Sequence, residues 1–118
     1  MANILLAEDD ETMRNILTIA LENAGHDITP AIDGMEALNA LNTGEKFDLL
    51  LTDIVMPGID GTELAKNATQ KNPDIKVMFI TGFAAIAAKQ KQAKDTQTLS
   101  KPFHLNDLIE QVENLLNK

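Results

Sequence analysis

Short apolar runs alternate with stretches of helical periodicity along the whole chain. That alternation predicts a repeated βα unit and a parallel sheet. The first run, Asn3–Ala7, is too short for a helix and carries consecutive apolar residues, as expected of a strand covered on both faces. Ile16, Leu17, Ala20, Leu21 and Ala24 then follow helical spacing, with Gly25 as a stop. A brief second strand is predicted over residues 26–29. Asp33 with Glu36 three residues later resembles a capping box, opening a helix through Ala37, Leu38 and Leu41 that ends near Gly44. Residues 47–52 read as strand three, and Asp60, Gly61 and Thr62 open a helix through Leu64, Ala65 and Ala68 that Asn72 and Pro73 terminate. Strand four is Lys76–Thr81. Residues 84–88 are alanine-rich and grade into the polar run 89–95, which predicts a weakly packed fourth helix and loop. Residues 97–100 are poor in apolar positions and predict an edge strand. A final helix is marked by Leu105, Leu108, Ile109, Val112, Leu115 and Leu116. The sum is an α/β fold of the flavodoxin-like, doubly wound (βα)5 type, a three-layer sandwich with parallel sheet order 2-1-3-4-5.

Composition narrows the chemistry. A chain of 118 residues fits one domain, so residues 1–118 are expected to form a single domain with no output domain. No apolar stretch approaches the ~18–20 residues that cross a bilayer, and the first residues lack a basic segment leading into a signal-peptide core. A cytoplasmic protein without a membrane partner is expected. There is no cysteine, which excludes disulfides, thiolate metal sites and thiol nucleophiles. A net charge of −8 argues against a nucleic-acid partner, because such binding rests on Lys and Arg neutralising phosphates. The only aromatic residues are four Phe, too few for a base-stacking platform.

What remains is carboxylate chemistry. Glu8 and Asp9 follow the first apolar run and Asp53 follows the third. In the order 2-1-3-4-5, strands one and three are neighbours, so these acids converge at the carboxyl edge of the sheet, where open α/β proteins build their sites. Ionised carboxylates about 4 Å apart repel by about 4 kcal/mol at an effective dielectric of about 20, so the cluster must hold protons or a cation. An all-oxygen donor set favours a hard cation, Mg2+ foremost, with Mn2+ able to substitute. Other acids have plainer roles: Asp10 and Glu11 suit a helix start and Asp60 a helix cap. His26 and His104 lack spaced partners and are read as surface or capping residues.

Several pieces taken together resemble the receiver domain of two-component response regulators over the whole length. They are the acidic pair Glu8 and Asp9, Asp53 with the turn Met56-Pro57-Gly58-Ile59-Asp60-Gly61, Thr81 at the end of strand four, and Lys101-Pro102. The resemblance implies that Asp53 accepts a phosphoryl group from a phosphohistidine, with Mg2+ held by Glu8, Asp9, Asp53 and the Val55 carbonyl. It makes Lys101 and Thr81 the partners of the incoming oxygens and gives Pro102 the family's position after a cis peptide bond. Asp53 as nucleophile would form an acyl phosphate, and Lys101 can pair with it before transfer and with the phosphoryl group afterwards.

One departure stands out. Many receivers carry Tyr or Phe on strand five before the lysine, whereas Thr98 occupies that position and neither Gln97 nor Leu99 is aromatic. Readout is therefore expected on a face that includes Phe83, Ala84, Ile86, Thr98, Pro102 and the 89–94 run. Among stand-alone receivers, the stretches 5–10, 53–58, 80–84 and 99–105 look like the CpdR type of alphaproteobacteria. That resemblance implies a cell-cycle regulator fed by a histidine phosphotransferase that primes the ClpXP protease when unphosphorylated, and the partners expected are a histidine kinase or histidine phosphotransferase and ClpX. The alternatives use the same acids: a phosphorelay shuttle or chemotaxis-type receiver, and a Mg2+-dependent phosphatase, which would need a general acid/base that Ile54 and Val55 cannot supply. A flavin phosphate site is disfavoured, since Glu8, Asp9 and Asp10 would repel an anion. The chain is expected not to be an enzyme beyond its own phosphorylation and slow dephosphorylation.

Overall fold

In the computed structural model, which describes residues 2–81, 96–100 and 103–117, the apolar runs form five parallel strands. These are β1 Asn3–Ala7, β2 Asp27–Ala31, β3 Leu49–Asp53, β4 Lys76–Thr81 and β5 Thr96–Ser100, in the order β2-β1-β3-β4-β5. The described helices are α1 Glu11–Asn23, α2 Gly34–Leu41, α3 Gly61–Lys71 and α4 Leu105–Leu116. The alanine-rich segment 84–88 lies outside the described residues.

Side-chain alternation along each strand sorts the core into two layers. Leu5, Leu50, Val77 and Phe79 pack on the side of α2 and α3, with Ala37, Leu41, Leu64 and Ala68. Ile4, Leu6, Leu49, Leu51, Met78 and Ile80 pack on the side of α1 and α4, with Leu17, Leu21, Leu108, Val112 and Leu115. The central strands are buried on both faces, which is why they read as unbroken apolar runs. Burying a Leu-sized side chain contributes ~1.5–3 kcal/mol, so this double layer makes the sheet a rigid platform for whatever leaves its edge.

Each of the first three helices starts at the carboxyl edge of the sheet with an aspartate cap. Asp10 accepts the Met13 N–H at 3.1 Å, Asp33 the Glu36 N–H at 2.9 Å and Asp60 the Glu63 N–H at 2.9 Å. In the Asp33–Glu36 capping pair the return bond goes from the Ile32 N–H to Glu36 at 2.8 Å, one residue earlier than in the usual box.

The structure departs from the sequence reading at several points, among them β5, which starts at Thr96 and not at 97. β2 is Asp27–Ala31, not 26–29, and includes Pro30, which is tolerated because β2 is an edge strand. β3 starts at Leu49, because Phe47 is buried ahead of the ladder without joining it. Leu105 is 39% exposed on the first turn of α4, and on α1 the buried stripe reduces to Leu17 and Leu21, with Ile16 exposed.

His26 is neither a surface nor a capping residue. It is buried, its Nδ1 accepts the Ala2 N–H at 3.1 Å, and its Nε2 lies 2.6 Å from Glu113 Oε2 on α4. Since Nδ1 is the acceptor, the ring proton sits on Nε2 and is donated to Glu113. His104 occupies the α4 N-cap position without a side-chain cap bond.

Candidate functional site

The pairing register brings the acids together. β1 pairs with β3 from Ile4 opposite Leu49 to Ala7 opposite Thr52, and one further step sets Glu8 opposite Asp53. Register partners in a parallel sheet share a face, so Glu8 and Asp53 continue the row Ile4–Leu49 and Leu6–Leu51 on the α1 and α4 side. Glu8 is fully buried, Asp53 is 8% exposed and Asp9 faces solvent. One carboxylate oxygen from each of Glu8, Asp9 and Asp53 lies within 4.8 Å of the others.

Glu8 and Asp53 are held by their surroundings. The Glu8 N–H donates to the Ala31 carbonyl at 3.2 Å, its carboxylate accepts the Asp10 N–H at 3.1 Å, and its carbonyl accepts Arg14 Nη1 at 3.0 Å. The Asp53 carbonyl accepts the buried Thr52 hydroxyl at 2.8 Å. The next carbonyl, of Ile54, accepts the Gly61 N–H at 2.8 Å and ties the start of α3 to the end of β3. Gly61 approaches so closely that a Cβ there would lie 2.1 Å from the Asp53 carbonyl oxygen. Gly34, at the start of α2, meets the Ile59 carbonyl in the same manner, with 2.2 Å for an added Cβ. These two glycines are required by close backbone approach, not by a left-handed conformation.

Asp60 stands apart from the cluster as an exposed cap. The Glu63 backbone N–H, then the Thr62 hydroxyl, hold its carboxyl below the usual carboxylate range. Asp10 is likewise committed to Met13. Val55 follows in the turn after β3 and is 48% exposed.

The remaining predicted residues fall on the neighbouring strands or outside the described ones. Asp53 pairs with Ile80, so Thr81 lies one residue past the partner of Asp53 on the adjacent strand, opposite Ser100 of β5. Thr98 is exposed and in register with Phe79, which puts it on the α2 and α3 face, while Leu99, paired with Ile80, packs against the opposite core layer. Phe83, Ala84, Ile86, Lys101, Pro102 and the 89–94 run lie outside the described residues.

Arg14, Thr52 and Gly34 have no part in the sequence reading of the site, and Gly61 enters it only as part of the turn that opens a helix. Arg14 had one available signal, being the only arginine in the chain. A hollow of about 540 Å³ lined by Leu41, Phe47, Lys71 and Ile75 opens at the other end of the sheet. The acidic site is thus a crevice at the strand ends, separate from it.

A doubly wound parallel sheet with three converging carboxylates at the β1/β3 switch point defines a class, and the family model of the response regulator receiver domain matches residues 4–113. The chain belongs to that family. It is 52% identical over 118 residues to the response regulator receiver protein CpdR of Brucella abortus, covering 98% of both chains. Among solved structures, a response regulator receiver protein from Sinorhizobium medicae superposes with a TM-score of 0.91 at 32% identity, over 98% of this chain and 94% of that one. The response regulator TrrA of Thermotoga maritima, solved in complex with Mg2+-BeF, gives a TM-score of 0.87 at 31% identity, over 98% and 99% of the two chains. Among the described residues no helix is long and apolar enough to cross a membrane.

Proposed function

We propose that this chain is a cytoplasmic phosphoacceptor of a two-component phosphorelay, with residues 1–118 acting as one receiver domain. The observation that carries the reading is the convergence of the Glu8, Asp9 and Asp53 carboxylates within 4.8 Å, two of them buried at adjacent strand ends. At that separation and an effective dielectric of about 20, two ionised carboxylates repel by about 3.5 kcal/mol. A hard cation offsets this, and a donor set made only of oxygens fits Mg2+. Glu8, Asp9, Asp53 and the Val55 carbonyl would hold it. When bound, Mg2+ supplies charge compensation between the nucleophile and the phosphoryl oxygens.

The residues divide the work. An Asp53 carboxylate oxygen attacks the phosphorus of a phosphohistidine; the P–N bond breaks, and the imidazole leaves and takes up a proton. The product is an acyl phosphate on Asp53. Lys101 pairs with a phosphoryl oxygen as a compact point charge, and the Thr81 hydroxyl donates to another. A histidine kinase or histidine phosphotransferase is the donor. Phosphorylation is read out through Phe83, Ala84, Thr98 and Pro102, and the resemblance to CpdR supports a protein-binding output that primes ClpXP in the unphosphorylated state.

The test is incubation with acetyl phosphate and Mg2+, followed by intact-mass measurement. Wild type gains one phosphoryl group and Asp53→Ala gains none; an adduct on Asp53→Ala would mean a different acceptor. Capture of ClpX by the phosphorylated but not the unphosphorylated protein would refute the adaptor reading.

A further inference from the structure

We infer that Arg14 is a positioning residue of the acidic site, fixing the peptide that carries Glu8 and Asp9 and thereby setting how tightly the three carboxylates hold a divalent cation. This rests on the phosphoacceptor reading above. Of ten basic residues Arg14 is the only arginine, and it is the fourth residue of α1. Side chains on a helix lean toward its N-terminus, so a long one in the opening turn reaches back over the β1–α1 turn. Arg14 does so: its Nη1 donates to the Glu8 carbonyl at 3.0 Å from a half-buried position.

That carbonyl lies just past the end of the β1 ladder, which closes at Ala7. Arg14 takes up the acceptor that the sheet leaves off. The Glu8 N–H is tied to Ala31 and its carboxylate to the Asp10 N–H, and the bond from Arg14 fixes the carbonyl as well. Turning the Glu8–Asp9 peptide would swing two of the three site acids at once. α1 itself is anchored at Asp10, through its bond to Met13, which makes the guanidinium a brace from a fixed helix to the strand end.

The guanidinium acts on a bound cation in two opposed ways. Its charge repels a second cation, while its hydrogen bond holds the ligands in place. Loss of charge alone tightens cation binding; loss of position loosens it. The direction of the change therefore separates the two.

The experiment is calorimetric Mg2+ titration of the full chain as wild type, Arg14→Lys and Arg14→Met. It is joined by amide hydrogen exchange at Asp10, whose N–H bonds to the Glu8 carboxylate. Arg14→Met is expected to weaken Mg2+ about tenfold, as for removal of other outer-shell supports, and to speed exchange at Asp10 while leaving Leu17 and Leu21 in mid-helix unchanged. Arg14→Lys keeps length, charge and a donor, so it recovers part of the affinity; it also serves if Arg14→Met folds poorly. Mg2+ binding by Arg14→Met as tight as wild type, or tighter, overturns the inference while leaving the phosphoacceptor reading intact. Absence of Mg2+ binding by wild type would remove both.

Discussion

Replacing Gly61 by alanine should slow phosphorylation of Asp53 far more than it destabilises the fold. The added Cβ would sit 2.1 Å from the Asp53 carbonyl oxygen and 2.9 Å from both the Asp53 carbonyl carbon and the Ile54 Cα, all of them backbone atoms. Ordinary contact begins at 3.4 Å, so α3 and the end of β3 must part by about 1.3 Å, since no rotamer change can relieve a backbone clash. The Gly61 N–H to Ile54 bond resists that separation, and the Thr52 hydroxyl bond holds the Asp53 carbonyl in the path of the added Cβ. Overpacking of this kind costs ~1–3 kcal/mol, while alanine recovers up to ~1 kcal/mol of helix propensity. The net loss of stability is thus modest. A misplacement of about 1 Å in a reacting group costs ~100-fold in rate. The assay is the initial rate of adduct formation with acetyl phosphate and Mg2+ by intact mass, beside urea unfolding. Gly44→Ala is the control: its Cβ meets nothing within 4 Å, but its φ of +89° strains alanine by ~1–2 kcal/mol. The control should lose as much stability as Gly61→Ala and phosphorylate normally. A folded Gly61→Ala that phosphorylates at the wild-type rate would refute the argument that this contact sets the position of Asp53.

Asp60→Ala should cost about 1 kcal/mol at neutral pH through loss of the α3 cap. Because the native Asp60 carboxyl lies below the ordinary aspartate value of 3.8, its contribution is complete above that pH and is lost as pH falls through the lower native value. The gap to wild type in urea unfolding therefore narrows only below about pH 3.8; a gap that closes near neutrality would contradict the cap. Mg2+ at a hundredfold excess over its dissociation constant should stabilise wild type by ~2.7 kcal/mol. Asp53→Asn should raise the melting point in metal-free buffer by removing one charge beside Glu8. Unchanged melting in both experiments would argue against the repulsive cluster. His26→Phe keeps an aromatic ring but removes the acceptor for the Ala2 N–H and the donor to Glu113. It should cost ~1–3 kcal/mol, read from the urea midpoint, and wild-type stability of the variant would dismiss the pairing as incidental.

The parts legible in the sequence are those governed by local or periodic rules. β4 matched residue for residue, since Val77, Met78, Phe79 and Ile80 form a continuous apolar run buried within the sheet. The Asp10, Asp33 and Asp60 starts were legible because a cap and its N–H partner are three residues apart. The meeting of Glu8 and Asp53 followed from topology, given two acids at the ends of two apolar runs. β2 was shifted because an edge strand has less apolar signal and Pro30 reads as a break. What the sequence hid depends on contacts made through space. The His26–Glu113 pair spans 87 positions, the need for glycine at Gly61 arises from a carbonyl on another element, and Arg14 is significant only for the atom it reaches.

These hidden contacts share a plan. At β1 the site acid Glu8 is braced by Arg14 from α1, the helix capped by Asp10. At β3 the site acid Asp53 is pressed by Gly61 at the first turn of α3, the helix capped by Asp60. In both cases a strand end and the first turn of its following helix are joined beneath a carboxylate, and a second aspartate secures that turn. First turns are where helices fray, because their N–H groups have no partner within the helix, so an uncapped turn would let the brace move and the carboxylate with it. Asp10 and Asp60 thereby act on the geometry of the acidic site without belonging to the cluster. This explains why acids gather so densely at one edge of the sheet: three converge on a common point, and their neighbours hold the backbone from which they converge.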